Sequence, residues 1–367
     1  MLQIMKLDLI VGARPNFMKI APIIRAIRKI QNEKKKLDFR LIHTGQHYDK
    51  NMSESFFNQL NIPIPDINLN AGSGTQAEQA AAIMIGYEKI LFQEKSDLCI
   101  VVGDVTSTMA CAIVAKKMGI QVAHVEAGIR SGDWTMPEEI NRIVTDSLTD
   151  YFFTTSEFAN RNLRQSGVKQ EKIFFVGNTM IDTLLHNRQN LRKPEIWDRV
   201  NLKEREYLLI TLHRPANVDN ENNLEVLLNE IIKHSMEMKL LFPVHPRTAN
   251  VLKKKTISHS RLIITEPLGY LEFIYLVSNS KAVITDSGGI TEETTVMNIP
   301  CITIRDNTER PETITEGTNE LIGTDPRAIE PALNKLFKGN WKQGKIPKKW
   351  DGKAAERIVK VIVNTSL

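Results

Sequence analysis

Apolar residues in this chain gather in short, β-branched runs separated by longer helical patterns. In the first half the runs are Leu7–Val11, Phe39–His43, Leu98–Val102, Val122–Val125, Tyr151–Thr154 and Ile173–Val176. They are near-continuous rather than alternating, as expected of strands buried on both faces. Helical patterns at Phe17–Ile30, Gln76–Phe92 and Thr106–Met118 lie between them. This βαβ rhythm predicts a parallel sheet with helices on both sides.

The rhythm restarts after a polar stretch, Leu185–Arg205, that contains Pro194 and many charges. Tyr207–Leu212, Leu240–Val244, Leu262–Thr265, Ala282–Thr285 and Cys301–Ile304 form a second set of runs. Helical patterns near Asn222–His234, Leu271–Val277, Gly289–Val296 and Ala328–Phe337 separate them. A length of 367 residues is long for one core, so two domains are the prior. The prediction is an α/β protein of two doubly wound domains, 1–180 and 181–353. The closing pattern Ala354–Val363 could pack on either, including a return of 354–367 to the first.

Composition narrows the function classes. Hydrophobic residues at 42% and charged residues at 25% are an ordinary globular mix. The net charge of +5 comes without a long basic block; Lys34–Lys36 and Lys253–Lys255 read as solvated faces. Nucleic acid is not expected as a partner. No run approaches the ~20 apolar residues of a membrane span. The N-terminal run is short and carries Asp8, unlike a signal peptide. Cys99, Cys111 and Cys301 each sit in apolar sequence without metal-ligand spacing. They read as buried thiols in a reducing, cytoplasmic compartment, with no metal site.

Doubly wound domains bind ligands beyond the carboxyl ends of their strands, here in a cleft between the halves. Polar residues recur at such positions: Arg14, His43 to Gln46, Asp104, Glu126, His213-Arg214, His245 and Asp286-Ser287. The window from Asp104 to Arg142 holds three carboxylates in positioned settings. Asp104 and Glu126 follow apolar runs, and Glu138 follows Pro137 at a helix start. A carboxylate just past a strand is awkward for folding and useful for proton transfer. His124, inside the run before Glu126, reads as a satisfied core residue.

Asp286-Ser287-Gly288-Gly289 is a strand-to-helix turn whose glycines let a ligand approach the backbone and whose helix start offers N–H groups to an anion. Glu293, six residues on, could accept hydrogen bonds from vicinal hydroxyls. The plainer reading is a helix capped by Asp286 or Ser287. Arg310, in the charged loop Arg305–Glu312, could pair with a phosphate. Arg14 and Lys19 are cations at the matching turn of the first domain, and His213 is a strand-end imidazole.

Ten segments occur in order: GARPNFMKIAP, TGQHYD, GDVTST, HVEAGIRSGDWTMPEEINR, GNTMID, TLHRPANVD, PVHPRT, PLGYLEF, TDSGGITEE and RDNTERPE. Together they resemble the non-hydrolysing UDP-N-acetylglucosamine 2-epimerases. The resemblance implies a GT-B-like pair of Rossmann-like domains and reversible conversion of UDP-GlcNAc to UDP-ManNAc. Its chemistry is anti elimination of UDP to 2-acetamidoglucal, then re-addition after protonation of carbon 2 on the other face. No nicotinamide or other cofactor is implied. Carried over, Asp104, Glu126 and Glu138 are the catalytic carboxylates and His213 the histidine near the diphosphate. Ser287, Gly288 and Gly289 are the phosphate turn, and Glu293 is the ribose contact. Arg14, Lys19 and Arg310 are substrate-binding cations. Leu268, through its backbone, and Phe273 lie near the uracil. A homodimer serving synthesis of a surface polysaccharide is also implied.

Two departures stand out. Many members carry an acidic residue where this chain has Asn16, and the Ser131–Met136 segment differs from the commoner arginine-containing form. Both put the exact sugar in question more than the reaction. Alternatives that share the motifs are a UDP-sugar glycosyltransferase, a hydrolysing epimerase releasing ManNAc and UDP, and a silent UDP-sugar sensor. Intact carboxylates argue against the last. Relatives activated by a second UDP-GlcNAc bind it partly through a glutamine-histidine loop, present here as Gln46-His47. The stretch Ala71–Thr75 is closer to relatives without the full activator set. Velocity curves with UDP-ManNAc alone are therefore expected to be hyperbolic; an absolute requirement for added UDP-GlcNAc would refute this.

Overall fold

The computed structural model describes residues 4–33, 37–45, 59–60, 62–214, 217, 221–244, 248–249, 252 and 259–365. Gln46, His47, His245 and the side chain of Arg14 lie outside the described residues. The chain divides into two compact units, Met1–His186 with Lys348–Leu367, and Asn187–Pro347.

The first unit holds a seven-stranded sheet: β1 (Met5–Val11), β2 (Leu37–His43), β3 (Ile67–Asn68), β4 (Leu98–Val102), β5 (Gln121–Val125), β6 (Tyr151–Thr154) and β7 (Ile173–Phe175). Their spatial order is β3-β2-β1-β4-β5-β6-β7. Every pairing is parallel. Leu7 stands opposite both Phe39 and Leu98. The connecting helices are α1 (Arg14–Asn32), α2 (Gln76–Gln93), α3 (Thr106–Lys117), α4 (Pro137–Leu148), α5 (Glu157–Gln165) and α6 (Thr179–Asn187). Thr75 starts α2 with reciprocal caps, Glu78 N–H donating to Thr75 Oγ1 and Thr75 N–H to Glu78 Oε2.

A charge network is buried in the core of this sheet. Asp8 is fully buried in β1, where Arg40 donates to both its oxygens at 2.8 and 3.0 Å and the Tyr87 hydroxyl donates at 2.9 Å. A buried carboxylate survives only with its lone pairs satisfied in this way.

The second unit repeats the plan with β8 (Tyr207–Thr211), β9 (Lys239–Pro243), β10 (Leu262–Thr265), β11 (Ala282–Thr285), β12 (Cys301–Thr303) and β13 (Asn319–Leu321). The order is β10-β9-β8-β11-β12-β13, again parallel throughout. Its helices are α7 (Glu195–Arg199), α8 (Glu221–His234), α9 (Tyr270–Asn279), α10 (Gly288–Met297), α11 (Pro311–Thr315) and α12 (Ile329–Phe337). Leu208, Ile210, Leu240, Phe242, Ile284 and Ile302 centre its core. Two strands fall outside the runs expected from the sequence: β3 and β13 are edge strands of two and three residues, too short to show a period.

The last helix, α13 (Ala354–Asn364), packs on α1 in the first unit. Polar contacts pin it there. Asp182 accepts the Ala354 and Ala355 N–H groups at 3.1 and 2.7 Å, and Trp350 Nε1 donates to the Thr155 carbonyl at 3.0 Å. Gly177, at φ +100°, lies so close to the Lys349 carbonyl that a Cβ would collide with it.

Candidate active site

In each unit the strand order reverses beside the first strand, between β1 and β4 and between β8 and β11. Polar side chains collect at the carboxyl ends there. In the first unit Lys19 Nζ lies 2.7 Å from Glu126 Oε2, with the two side chains 11% and 3% exposed. A Cβ on Gly103 would come within 2.9 Å of that ammonium, so glycine keeps the space open. Glu126 itself has φ +73°. That conformation is costly for a side chain of this size and marks functional turns. Lys19 is thus committed to a carboxylate within its own unit.

Asn16 is 2% exposed. Its Oδ1 accepts the Gly12 and Ala13 N–H groups at 3.3 and 2.9 Å, and its Nδ2 donates to the Val102 carbonyl at 2.8 Å. The departure at this position therefore serves the backbone: an ionised carboxylate could take the two N–H groups but could not donate to Val102.

Asp104 forms an ion pair with Arg142, whose Nη1 also donates to Glu139 at 2.9 Å. Glu139 in turn accepts the N–H groups of Ser131 and Gly132 at 2.9 and 3.0 Å. Burial pushes the Glu139 carboxyl up, but these backbone donors and Arg142 outweigh it and hold it below its ordinary value. His124 is fully buried, with Nδ1 2.7 Å from Asp146 and Nε2 2.8 Å from the Gly103 carbonyl. Glu138 sits half-buried in the first turn of α4. Arg142, Glu139 and Asp146 had no role in the sequence reading, although all three fall on α4.

In the second unit Asp286 is fully buried and is not a helix cap. Its carboxylate accepts the His213 and Arg214 N–H groups and Asn217 Nδ2 at 2.9 to 3.1 Å, and lies 2.9 Å from His213 Nδ1. Burial alone would raise its pKa; the donors around it hold it below the ordinary value. The His213 ring is 62% exposed, with Nδ1 engaged. Ser287 is the N-cap position of α10, without a side-chain cap bond. Nothing stands within 4 Å of a Cβ built on Gly289. A Cβ on Gly288 would lie 3.6 Å from Arg305 Nη1 and from Glu309 Oε2. Arg305 is bound to both oxygens of Glu309 at 2.8 Å. Arg310 Nε is 2.5 Å from Glu292. Leu268 and Phe273 flank the start of α9, both half-buried.

The residues 28–363 match the family model described as UDP-N-acetylglucosamine 2-epimerase. This chain belongs to that family. It is 44% identical to a UDP-N-acetylglucosamine 2-epimerase of Methanocaldococcus jannaschii, over 98% of this chain and 99% of the relative. The crystal structure of the M. jannaschii enzyme in complex with UDP-GlcNAc and UDP superposes with a TM-score of 0.86 at 43% identity, covering 98% of this chain and 100% of that one. A Pseudomonas aeruginosa UDP-2,3-diacetamido-2,3-dideoxy-D-glucuronate 2-epimerase is 36% identical over 98% of this chain and 99% of its own. The expected GT-B-like architecture of two Rossmann-like units agrees with these likenesses. No helix among the described residues is long and apolar enough to cross a membrane. Among the same residues no group of three or more His, Cys, Asp or Glu side chains could hold a metal ion.

Glu293 generates a pH prediction. Burial pushes its carboxyl up to about 8, against the Tyr270 hydroxyl that donates to it at 3.0 Å, with Glu292 adding to the rise. A carboxyl raised above its ordinary 4.5 favours the folded state fully below that value, and the advantage is lost as pH rises through about 8. Thermal melts of the free protein should show Tm falling between about pH 4.5 and 8, with Glu293→Gln flattening that limb. An unchanged limb in the variant would assign it to another group.

Proposed function

We propose that this chain interconverts UDP-GlcNAc and UDP-ManNAc by eliminating UDP to 2-acetamidoglucal and adding it back with carbon 2 inverted. Near-full-length identity to an enzyme named for this reaction supports the activity. The observation that carries the chemistry is the pair of strand-end carboxylates, Asp104 and Glu126, each paired with a cation. The hydrogen on carbon 2 is weakly acidic, so its removal needs a fixed base on one face. Inversion needs an acid on the other. Asp104, Glu126 and Glu138 provide carboxylates for both.

The departing group is a diphosphate, whose developing charge calls for donors and cations set in advance. The Ser287-Gly288-Gly289 start of α10 offers N–H groups, and nothing in the protein obstructs Gly289. His213, oriented by Asp286, presents Nε2 for donation to a phosphate oxygen. Glu293 takes the ribose hydroxyls, and Leu268 and Phe273 border the uracil. Lys19, Arg310 and Arg14 contribute as substrate-binding cations. For Lys19 and Arg310 this means sharing their carboxylate partners with the ligand. The P. aeruginosa relative differs in the sugar but shares a name for reaction at carbon 2, which supports reading the carboxylate side as reaction machinery.

The protein acts in the cytoplasm as a homodimer supplying a surface-polysaccharide precursor. Three buried free cysteines suit a reducing compartment. Helix α2 turns Ala77, Ala81, Ile85 and Phe92 outward along one face, an apolar stripe suited to a second copy. Sedimentation equilibrium should give twice the chain mass of 41.7 kDa; a monomer at all concentrations would refute the dimer. For the reaction, UDP-GlcNAc incubated with the protein in deuterated water should gain deuterium at carbon 2 in both epimers, with UDP retained at equilibrium. Net release of UDP and ManNAc would indicate hydrolysis. No exchange without an acceptor would indicate a transferase or a sensor.

A further inference from the structure

Helix α4 is turned inside out. Its buried residues are Glu139, Asn141, Arg142, Thr145 and Asp146, all polar, whereas Ile140 is 44% exposed. An amphipathic helix gains by burying its apolar stripe; this one buries hydrogen-bonding groups, at a cost in desolvation. The partners of these groups explain the choice. Asn141 Nδ2 donates to the Asp104 carbonyl at 2.9 Å. Arg142 holds the Asp104 carboxylate. Asp146 accepts the Gly128 N–H at 3.0 Å and lies 2.7 Å from Arg130 Nη1, besides its contact with His124, whose other nitrogen meets the Gly103 carbonyl. Glu139 holds residues 131 and 132. One helix thus grips the ends of β4 and β5 and the loop beyond them.

Asp104 is the convergence point, gripped at its backbone oxygen and its carboxylate by adjacent residues of one helical turn. Arg142 is only 6% exposed on its side chain and Asp104 29%. The guanidinium is therefore the buried end of the pair, and it approaches one carboxylate oxygen, Oδ2. A planar fork fixed at its other end by buried Glu139 can hold Asp104 in one rotamer, whereas a lone strand-end aspartate would sample several.

We propose that Arg142 is a positioning residue for the reaction, acting through Asp104 by fixing the direction in which its carboxylate points. This rests on the epimerase reading given above. Misplacing a reacting group by about 1 Å costs on the order of a hundredfold in rate, so Arg142→Gln should lower kcat about that much while KM moves less. Arg142→Lys keeps a charge beside Glu139 and should recover part of the rate and the wild-type Tm. If Arg142 works only through Asp104, adding Arg142→Gln to Asp104→Asn should lower kcat no further.

The experiment measures deuterium exchange at carbon 2 and net epimerisation for wild type, R142Q, R142K, D104N and the R142Q/D104N pair, with melts for each and a crystal structure of R142Q. Displacement of the Asp104 carboxylate in R142Q, together with non-additive rates, is the expected result. Losses that multiply in the double variant, or a loss confined to KM, would overturn the proposal. Wild-type protein without exchange would instead refute the epimerase reading; the R142Q crystal structure then still decides, since an unmoved Asp104 carboxylate would overturn the positioning role.

Discussion

Where a parallel sheet reverses its strand order, right-handed crossovers send the neighbouring helices to opposite faces, and the strand ends between them are left uncovered. Both units of this protein contain that reversal, at β1/β4 and at β8/β11. Candidate carboxylates and donors among the described residues gather at the strand ends beside it. Glycine at 103 sits where a side chain would press on Lys19. Asn16 ties the β1 turn to the end of β4. Asp286 ties the end of β8 to that of β11.

The two reversals are used differently. In the first unit, carboxylates come paired with cations, Glu126 with Lys19 and Asp104 with Arg142. Buried ion pairs are a poor source of stability, because desolvation consumes most of the Coulomb gain. Their presence here, with a left-handed glutamate and a helix that buries its polar face, is the pattern expected of a site that sacrifices stability for placement. In the second unit the ends are made of donors: a helix start, an imidazole oriented by a buried aspartate, and nearby arginines. That side suits an anion.

The repeated apolar runs made the fold legible. β4 and β11 have the ends that periodicity suggests, because a strand buried on both faces needs an unbroken apolar run. The edge strands β3 and β13 escaped, being too short for a pattern and paired on one side. Helix α4 showed only its start, at Pro137. Its buried face is polar, so a search for hydrophobic period passes over it.

Residue types and their order in the sequence determined the two-unit α/β plan, the candidate carboxylates and the family, since burial on parallel strands and strand-end chemistry both leave local signatures. Tertiary structure alone decided the partners. Lys19 finds Glu126, Arg142 finds Asp104 and His213 finds Asp286 across separations of 107, 38 and 73 residues. An ion pair depends on distance in space, and no local pattern records which of 48 lysines and arginines the folded sheet will bring beside a given carboxylate.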